Sequence, residues 1–220
     1  MLAVSMACEE GRHDECKGLA DTASPYAIPG ACPCHRREDM TIEKTRCPLH
    51  RAEEVANEVL KLLEPYCERI VVAGSIRRRK PEVGDIEILA VPKYGGLSCH
   101  VNLLDQEILD LMHRGILDFR LNKRGRRAFG QKNKLLVHLP SGLAVDVFST
   151  DEQCWPVALV IRTGGAETNR RIAAAAIRKG WHLQAYGAGF STPQGDVVCK
   201  SEREVFELVG LRYVEPEERE

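Results

Sequence analysis

Apolar residues from about residue 48 onward recur at spacings typical of helices and strands. Six of them lie at helical spacing ahead of Pro65 and predict a first helix: Ala52, Val55, Val59, Leu60, Leu62 and Leu63. Two apolar runs follow at 69–73 and 85–91, and they end at Gly74 and Pro92, as strands often do. The periodic part of the chain therefore begins with one helix and two strands.

Helices and strands are also predicted over the rest of the chain. In order, these are a helix at 102–113, strands within 127–139, a strand at 143–148, a helix after Pro156, an alanine-rich helix at 166–179, a hairpin near 187–195 and a last helix that opens at Ser201–Glu204. Residues 1–40 are rich in Gly, Pro, Cys and charge and follow neither period. We interpret them as a small appended module or an unstructured leader.

Length and composition favour a compact protein without a membrane span. The 220 residues are 44% hydrophobic, which suffices for one substantial core and a small second module. No apolar run approaches the roughly 18 residues that a membrane span requires, and the first residues lack the basic start and apolar stretch of a secretion signal. We therefore expect a cytoplasmic protein, monomeric and without a membrane partner.

Positive charge is concentrated although the formal net charge is only -1. Arg77–Lys80 is a block of four cations. A second basic segment contains no acid and includes Arg120, Lys123, Arg124, Arg126, Arg127, Lys132 and Lys134. Such a stripe is suited to the phosphate backbone of a nucleic acid, and the alternative is a charged surface exposed to water.

Acidic residues within two predicted strands are the strongest indication of chemistry. Asp85 and Glu87 are two positions apart, so their side chains leave the same face of a strand. Asp146 is a lone acid in the later apolar run. Between the first two strands, the Gly74–Ser75 turn next to Arg78 offers backbone N–H groups, a hydroxyl and a guanidinium to a phosphate.

This combination is typical of phosphoryl transfer with two metal ions. Carboxylates hold two hard cations, of which one bridges a triphosphate and the other activates the attacking hydroxyl. Mg²⁺, or Mn²⁺ in its place, suits a site with few protein carboxylates. The alternative is an acidic pair on a hydrated edge strand with no chemical role.

The same residues resemble a known family. The segment 74–89, GSIRRRKPEVGDIEIL, is similar to the palm signature of the family X DNA polymerases, which are nucleotidyltransferases of the polymerase beta superfamily. The resemblance continues in order through AVDVF at 144–148, RTGGAETNRRIAAAAIRKGWHLQAYG at 162–187 and SEREVFELVGLRYVEPEERE at 201–220. It covers about residues 50–220 and implies an α+β fold, with a mainly antiparallel palm sheet, flanking helices and a small thumb.

The resemblance also implies roles for individual residues. Asp85 and Glu87 would bind both metal ions, and Asp146 would complete the catalytic metal site and help activate a primer 3′-hydroxyl. The residues implied in nucleotide binding are Gly74, Ser75, Arg78, Gly164 and Asn169. The first three would hold the β- and γ-phosphates, and the last two would lie beside the sugar and base. The basic segment would bind template or primer phosphates.

Several positions depart from the family pattern. Glu87 stands where most members have Asp, Arg79 stands where Gly is common, and Ile161–Arg162 replaces an aromatic pair ahead of Thr163. The last change puts discrimination against ribonucleotides in doubt. Neither a lyase module nor a helix-hairpin-helix signature precedes the palm, so we expect no lyase activity and low processivity.

Cysteine and histidine residues are clustered ahead of the palm. Nine cysteines are present, and five fall within the first 47 residues: Cys8, Cys16, Cys32, Cys34 and Cys47. In a chain without a secretion signal, such a cluster favours metal binding over disulfides. The candidate zinc ligands are Cys8, His13, Cys16, Cys32, Cys34 and His35. The alternative is a cysteine-rich tail without metal.

Three functions follow from these patterns. The leading hypothesis is a minimal DNA polymerase that uses nucleoside triphosphates on primed or gapped DNA in repair. The second is a template-independent terminal transferase, or an enzyme that modifies tRNA, protein or a small molecule. The third is a non-catalytic nucleic-acid-binding subunit. The predicted division is a leader at 1–47, a palm at 48–160 and a thumb-like subdomain at 161–220.

Overall fold

A computed structural model of the protein describes residues 46–96, 101–122 and 124–220. The predicted zinc ligands, from Cys8 to His35, lie outside these residues, as does Lys123 of the basic segment. The zinc site therefore stays a prediction.

The first helix and its flanking segments begin the described chain. Strand β1 (Cys47–Pro48) pairs antiparallel with β3 (Glu82–Val83), and helix α1 (Leu49–Leu63) follows β1 directly. The helix buries the apolar face that its spacing predicted, including Ala52, Val59 and Leu63. It ends ahead of Pro65, whose ring is not compatible with a helix interior.

A five-stranded mixed sheet forms the centre of the protein. Its strands are β2 (Cys67–Val72), β4 (Ile86–Pro92), β9 (Leu143–Ser149), β8 (Asn133–His138) and β7 (Leu117–Phe119), in that spatial order. Neighbouring strands are antiparallel except β4 and β9, which are parallel. This confirms the predicted α+β class with a mainly antiparallel sheet.

Helices cover one face of this sheet. Helix α3 (Leu103–His113) follows the short pair β5 (Tyr94–Gly95) and β6 (Val101–Asn102). Asn102 caps α3, because its side chain accepts a hydrogen bond from the backbone N–H of Asp105 at 3.1 Å. Helices α1 and α3 pack on the sheet and enclose the main core.

The alternation of β4 and β9 separates core residues from functional residues. Ile86 and Ile88 are fully buried in the main core beneath α1 and α3. Residues of the opposite parity, Leu89 and Phe148, pack with Trp155 in a smaller core on the other face. Because side chains alternate along a strand, Glu87 and Asp146 also point to that second face.

The C-terminal part forms a second packed unit. Its elements are α4 (Trp155–Thr163), α5 (Ala166–Arg178), β10 (His182–Leu183), β11 (Gly189–Thr192), β12 (Gly195–Val198) and α6 (Glu202–Glu207). Helix α4 serves both units, since Trp155 packs on the sheet while Val160 lies in the second core. The predicted boundary at 160 and 161 therefore falls inside α4. No helix within the described ranges is both long and apolar enough to cross a membrane.

The hydrophobic patterns along the sequence did not predict the shortest strands or one irregular loop. Residues 127–139 were predicted as strands, but only Asn133–His138 is a strand, and the preceding residues form a loop with isolated bridges from Leu121 to Arg127 and from Phe129 to Lys134. Strand β7 has three residues and β10 has two, which is too short for a periodicity to be visible. Both depend on pairing with neighbouring strands.

Arg77, Glu202 and Arg219 form an ion network that ties the C-terminal segment to the palm. Both guanidinium groups donate to the Glu202 carboxylate, at 2.9 and 2.6 Å from Arg77 and at 2.9 Å from Arg219. Arg219 is fully buried and also donates to the Val214 carbonyl. Burial by itself raises the pKa of Glu202, but the hydrogen bond from Arg77 and the charge of Arg219 outweigh burial and leave the pKa below its ordinary value.

We expect Glu202→Gln to lower the free energy of unfolding by about 3 kcal/mol near neutral pH, because two buried cations lose their counter-charge. Urea unfolding measures this change. Glu207→Gln on the same helix is the control, since Glu207 is half exposed and pairs with Arg203 at the surface. Because the pKa of Glu202 is lowered on folding, the wild-type advantage should begin to shrink below the ordinary glutamate pKa of 4.5 and should be lost as the pH falls through the lowered folded value. Equal stabilities of the two variants would contradict the role of the network.

Candidate active site

The three predicted acids meet on one face of the central sheet. Glu87 and Asp146 are direct register partners across the parallel pair of β4 and β9. Asp85 lies immediately ahead of β4 with the parity of Glu87, so its side chain leaves the same face. The structure thus brings together residues that are about sixty positions apart in the chain.

Gly74 makes the close approach of the turn to this acidic face possible. Its φ of +60° lies in the left-handed region, and a Cβ atom there would lie 2.0 Å from the Glu87 carboxylate oxygen Oε2. The neighbouring Ala73 N–H donates to the Glu87 carbonyl at 2.7 Å and fixes the start of the turn against β4. The predicted turn is a short helical segment, α2 (Gly74–Arg77), and no other residue type fits at its first position without strain.

The acids repel one another in a poorly solvated place. Burial, followed by the charges of Asp85 and Asp146, raises the pKa of Glu87 to about 7. The positive charges of Arg162 and Arg78 act in the opposite direction but only in part. A carboxylate cluster whose negative charge is only partly offset by neighbouring arginines favours the binding of a cation.

A cleft lies directly beside Asp85. Its volume is about 610 Å³, which is within the range of small-molecule sites. The lining residues are Arg46, Ser75, Arg78, Lys80, Pro81, Glu82, Gly84 and Asp85. Sequence analysis did not assign Arg46 or Lys80 to the site. Lys80 belongs to the Arg77–Lys80 block and could have been included, but no local pattern marks Arg46, which precedes the first helix.

Buried polar atoms without a partner coincide with the predicted nucleotide-binding residues. Within the described residues, Ser75 Oγ, Arg78 Nε and Asn169 Oδ1 are buried and make no hydrogen bond. Most buried polar atoms in native proteins have a partner, so such atoms call for an explanation. A bound nucleotide would supply acceptors and donors at these positions.

The residues predicted for phosphate and for sugar are joined by direct contacts. The Arg78 guanidinium donates to the Thr163 carbonyl, and a Cβ on Gly164 would lie 2.8 Å from Arg78 Nη1. Asn169 Nδ2 donates to the Ile161 carbonyl at 2.9 Å. The beginning of the thumb-like unit is therefore held against the turn that follows β2.

Arg162 occupies an aromatic environment next to the acids. Its guanidinium carbon lies 3.7 Å from the centre of the Phe148 ring, and Nη2 donates to the Tyr186 hydroxyl at 3.3 Å. Phe148 is two residues after Asp146 on the same face of β9. Arg162, which departs from the pattern of the family X DNA polymerases, thus lies beside the acidic face.

The basic segment does not form one continuous exposed stripe. Arg124, Arg126 and Lys132 are exposed, and Lys132 Nζ lies 5.0 Å from the centre of the Tyr186 ring. Arg127 is partly buried over the Phe119 ring. Arg120 is largely buried and forms an ion pair with Asp146.

The assignment of Lys134 to a nucleic-acid surface requires correction. Its side chain is fully buried, and Nζ lies 2.9 Å from Asp105 Oδ1. The same ammonium donates to the Gly130 carbonyl at 3.1 Å and to Ser149 Oγ at 3.3 Å. Lys134 alternates with outward residues of β8 and faces the main core, so it stabilises the fold and is not accessible to DNA.

The donor set of the three acids fits hard divalent cations such as Mg²⁺. Carboxylate oxygens are the ligands these cations prefer, and the pKa of Glu87 is raised by burial first and then by the negative charges of Asp85 and Asp146. Residues 46–96, 101–122 and 124–220 contain no group of three His, Cys, Asp or Glu side chains in a metal-holding arrangement. In this structure, Arg120 is bound to the Asp146 carboxylate. The three acids therefore fit Mg²⁺ because their oxygen atoms are suitable ligands and because their side chains share one face of the sheet.

Comparisons with known proteins agree with this architecture. A family model for the DNA polymerase beta thumb matches residues 158–220. DNA polymerase lambda from Rattus norvegicus is 27% identical over 191 residues, which cover 80% of this chain and 33% of that protein. The chain thus spans about a third of the length of this curated relative.

A solved structure has the same fold. The crystal structure of Leishmania infantum polymerase beta in a ternary P/T complex matches with a TM-score of 0.63 and 20% identity, covering 80% of this chain and 77% of that one. The predicted palm and thumb are therefore present. The thumb match over residues 158–220, the likeness to polymerase lambda and the shared fold together show that this chain is similar to the family X DNA polymerases.

Proposed function

We propose that this protein transfers nucleotides from nucleoside triphosphates to the 3′-hydroxyl of a DNA primer, in the filling of short gaps during repair. The observation that supports the proposal most directly is the register of β4 and β9, which sets Asp146 beside Glu87 on the face that Asp85 also shares. The Gly74–Ser75 turn lies against the same face. Acids and a phosphate-binding turn are what nucleotidyl transfer requires.

The chain would bind the triphosphate through the cleft beside Asp85. Ser75 Oγ and the Arg78 guanidinium offer donors to the β- and γ-phosphates, and Arg46 and Lys80 add positive charge at the cleft wall. These cations would stabilise the negative charge that accumulates on the leaving pyrophosphate. Gly164 and Asn169 would contact the sugar and base.

Asp85, Glu87 and Asp146 would hold two Mg²⁺ or Mn²⁺ ions. When bound, such ions neutralise phosphate charge and lower the pKa of an acceptor hydroxyl. Asp146 would lie beside the primer 3′-oxygen, which forms the new bond to the α-phosphorus as the bond to pyrophosphate breaks. Burial of Asp146 and partial burial of Glu87 keep these charges less screened than they would be in water.

The acceptor strand would bind at the exposed part of the basic segment. Exposed Arg124, Arg126 and Lys132 provide a surface for a phosphate backbone. Assays with gapped DNA, blunt single strands and tRNA, each with deoxy- and ribonucleotides, separate a templated polymerase from a terminal transferase. Extension of gapped DNA alone supports the proposal. Untemplated addition or tRNA labelling favours the second hypothesis, and no incorporation into any acceptor favours a non-catalytic subunit.

Asp146→Ala is expected to reduce the rate of nucleotide addition by at least about 100-fold, because charge stabilisation at the reacting centre is lost. Single-turnover primer extension with Mg²⁺ measures this loss. Asp110→Ala provides a matched control, since Asp110 is an exposed acid on α3, on the far side of the sheet. A wild-type rate for Asp146→Ala would remove Asp146 from the mechanism.

Glu87→Gln is expected to stabilise the metal-free protein by about 2 kcal/mol near pH 8, because the variant removes a buried negative charge beside two others. The pKa of Glu87 is raised to about 7 on folding, so stability should fall as pH rises through the window from about 4.5 to 7. The gain should therefore vanish near pH 4, where Glu87 is protonated in both folded and unfolded states.

Urea unfolding in a chelator at both pH values tests this expectation. Glu54→Gln, an exposed position on α1, is the control and should change little. Added Mn²⁺ should stabilise the wild type more than Glu87→Gln, because a ligand that binds only the folded state stabilises it by mass action. A gain that persists unchanged at low pH would show that electrostatic repulsion is not the cause.

Lys132→Gln is expected to weaken binding to primed DNA and to lower the slope of log K against log salt concentration by about 0.9, since one phosphate contact is lost. Fluorescence anisotropy over a series of salt concentrations measures the slope. Lys61→Gln, an exposed lysine on α1, should leave it unchanged. An unaltered slope for Lys132→Gln would exclude this surface as the DNA contact.

A further inference from the structure

Arg120 contacts the catalytic face from an element that carries none of the three acids. Its guanidinium forms an ion pair with Asp146 Oδ1, and the side chains of the two residues are only 11% and 12% exposed. Charge-assisted hydrogen bonds in such poorly solvated places are among the stronger polar contacts. The pair therefore fixes the Asp146 carboxylate in the absence of ligands.

The path of the chain explains how Arg120 reaches Asp146. Arg120 follows β7 directly, and its N–H donates to the Leu135 carbonyl of β8 at 3.0 Å. Leu135 is in turn the register partner of Asp146 in the antiparallel pair of β8 and β9. Register partners share a face of the sheet, so Leu135 lies on the same acidic face as Asp146. The Arg120 side chain passes over β8 on this face and so reaches Asp146.

A guanidinium and a divalent cation compete for the same carboxylate. Both are positive, and at contact distance in a poorly solvated site their repulsion is substantial. A metal ion that binds Asp146 must displace Arg120 or bind beside a fixed positive charge.

The surroundings of Arg120 offer an alternative partner. Its Nε is buried and has no hydrogen-bond partner among the described residues, so the guanidinium has a donor to spare. The basic loop begins directly after it, with Arg124, Arg126 and Lys132 exposed. Arg120 thus lies between the acids and the surface that we assign to nucleic acid. A strand bound there would bring a phosphate oxygen within reach of the guanidinium.

We propose that Arg120 is a positioning residue that couples binding of the primer strand to loading of the catalytic metal ion. Without DNA, the Arg120 guanidinium stays paired with Asp146 and weakens metal binding there. When a primer strand binds, one of its phosphates replaces Asp146 as the partner of the guanidinium. Metal binding then becomes favourable only once an acceptor is present. This inference rests on the proposed function, since it requires a cation at Asp146 and a nucleic-acid strand at the basic loop.

Binding of Mn²⁺ to the protein without DNA or nucleotide tests the first half. Free Mn²⁺ is measured by electron paramagnetic resonance, and the Asp146-dependent component is the difference from the Asp146→Asn counterpart. Arg120→Gln should bind Mn²⁺ at least about fivefold more tightly in this component, the lower end of common coupling strengths. Arg114→Gln removes the same charge at the end of α3, on the other side of the sheet, and should leave the affinity unchanged.

The second half is tested with primed DNA whose primer ends in a dideoxynucleotide, so that it offers no 3′-oxygen to the metal. This DNA should increase the Mn²⁺ affinity of the wild type at least about fivefold, and Mn²⁺ should increase DNA affinity by the same factor. In Arg120→Gln the increase should be absent. A residue with a merely structural role would alter stability but not this coupling.

Each outcome has a defined meaning. Equal Mn²⁺ affinities of wild type and Arg120→Gln, or no effect of DNA on the wild type, would overturn the inference while leaving the proposed function intact. Mn²⁺ binding that does not depend on Asp146 at all would overturn the metal site of the proposed function itself. If Arg120→Gln does not fold, two other measurements still decide the question. One uses Arg120→Lys, which keeps the charge but not the fork of donors, and the other is the DNA titration of the wild type.

Discussion

The parallel register between β4 and β9 is the constraint on which the rest of the site depends. It places Glu87 beside Asp146, with Asp85 on the same face, and so concentrates negative charge in a place that water reaches poorly. The core on the opposite face makes this register costly to change, because a slip of one residue would turn Ile86 and Ile88 outward and the acids into the core. The same strand register is therefore required both for the stability of the sheet and for the geometry of the site.

Positive groups around the acids come from four separate elements. Arg78 follows the turn after β2, Arg162 lies in the last turn of α4, Arg120 follows β7, and Arg46 precedes β1. Arg162 and Arg78 lower the pKa of Glu87, but burial and the charges of Asp85 and Asp146 outweigh them and leave it raised to about 7. The folded protein thus retains a destabilising charge distribution at the place where it is proposed to bind metal ions and a triphosphate, as is common at functional sites.

Cationic residues that look alike in the sequence have different roles in the fold. Lys132 and Lys134 lie two positions apart in one basic segment, yet Lys132 is exposed beside Tyr186 and Lys134 is fully buried against Asp105. Likewise, Arg77 and Arg78 are neighbours, but Arg77 joins the structural network with Glu202, whereas Arg78 lines the cleft. A run of charged residues therefore shows which side chains form a charged, exposed surface only once the packing of the neighbouring elements is known.

By itself, the sequence determined the helices, the longer strands, the shared face of Asp85 and Glu87 and the turn at Gly74–Ser75, because each depends on local spacing or on a single residue type. Only the tertiary structure decided the pairing of Glu87 with Asp146, the burial of Lys134, the contribution of Arg46 to the cleft and the contact of Arg120 with Asp146. These depend on which strands are neighbours and in which register. Such contacts join residues far apart in the chain, where no local period records them.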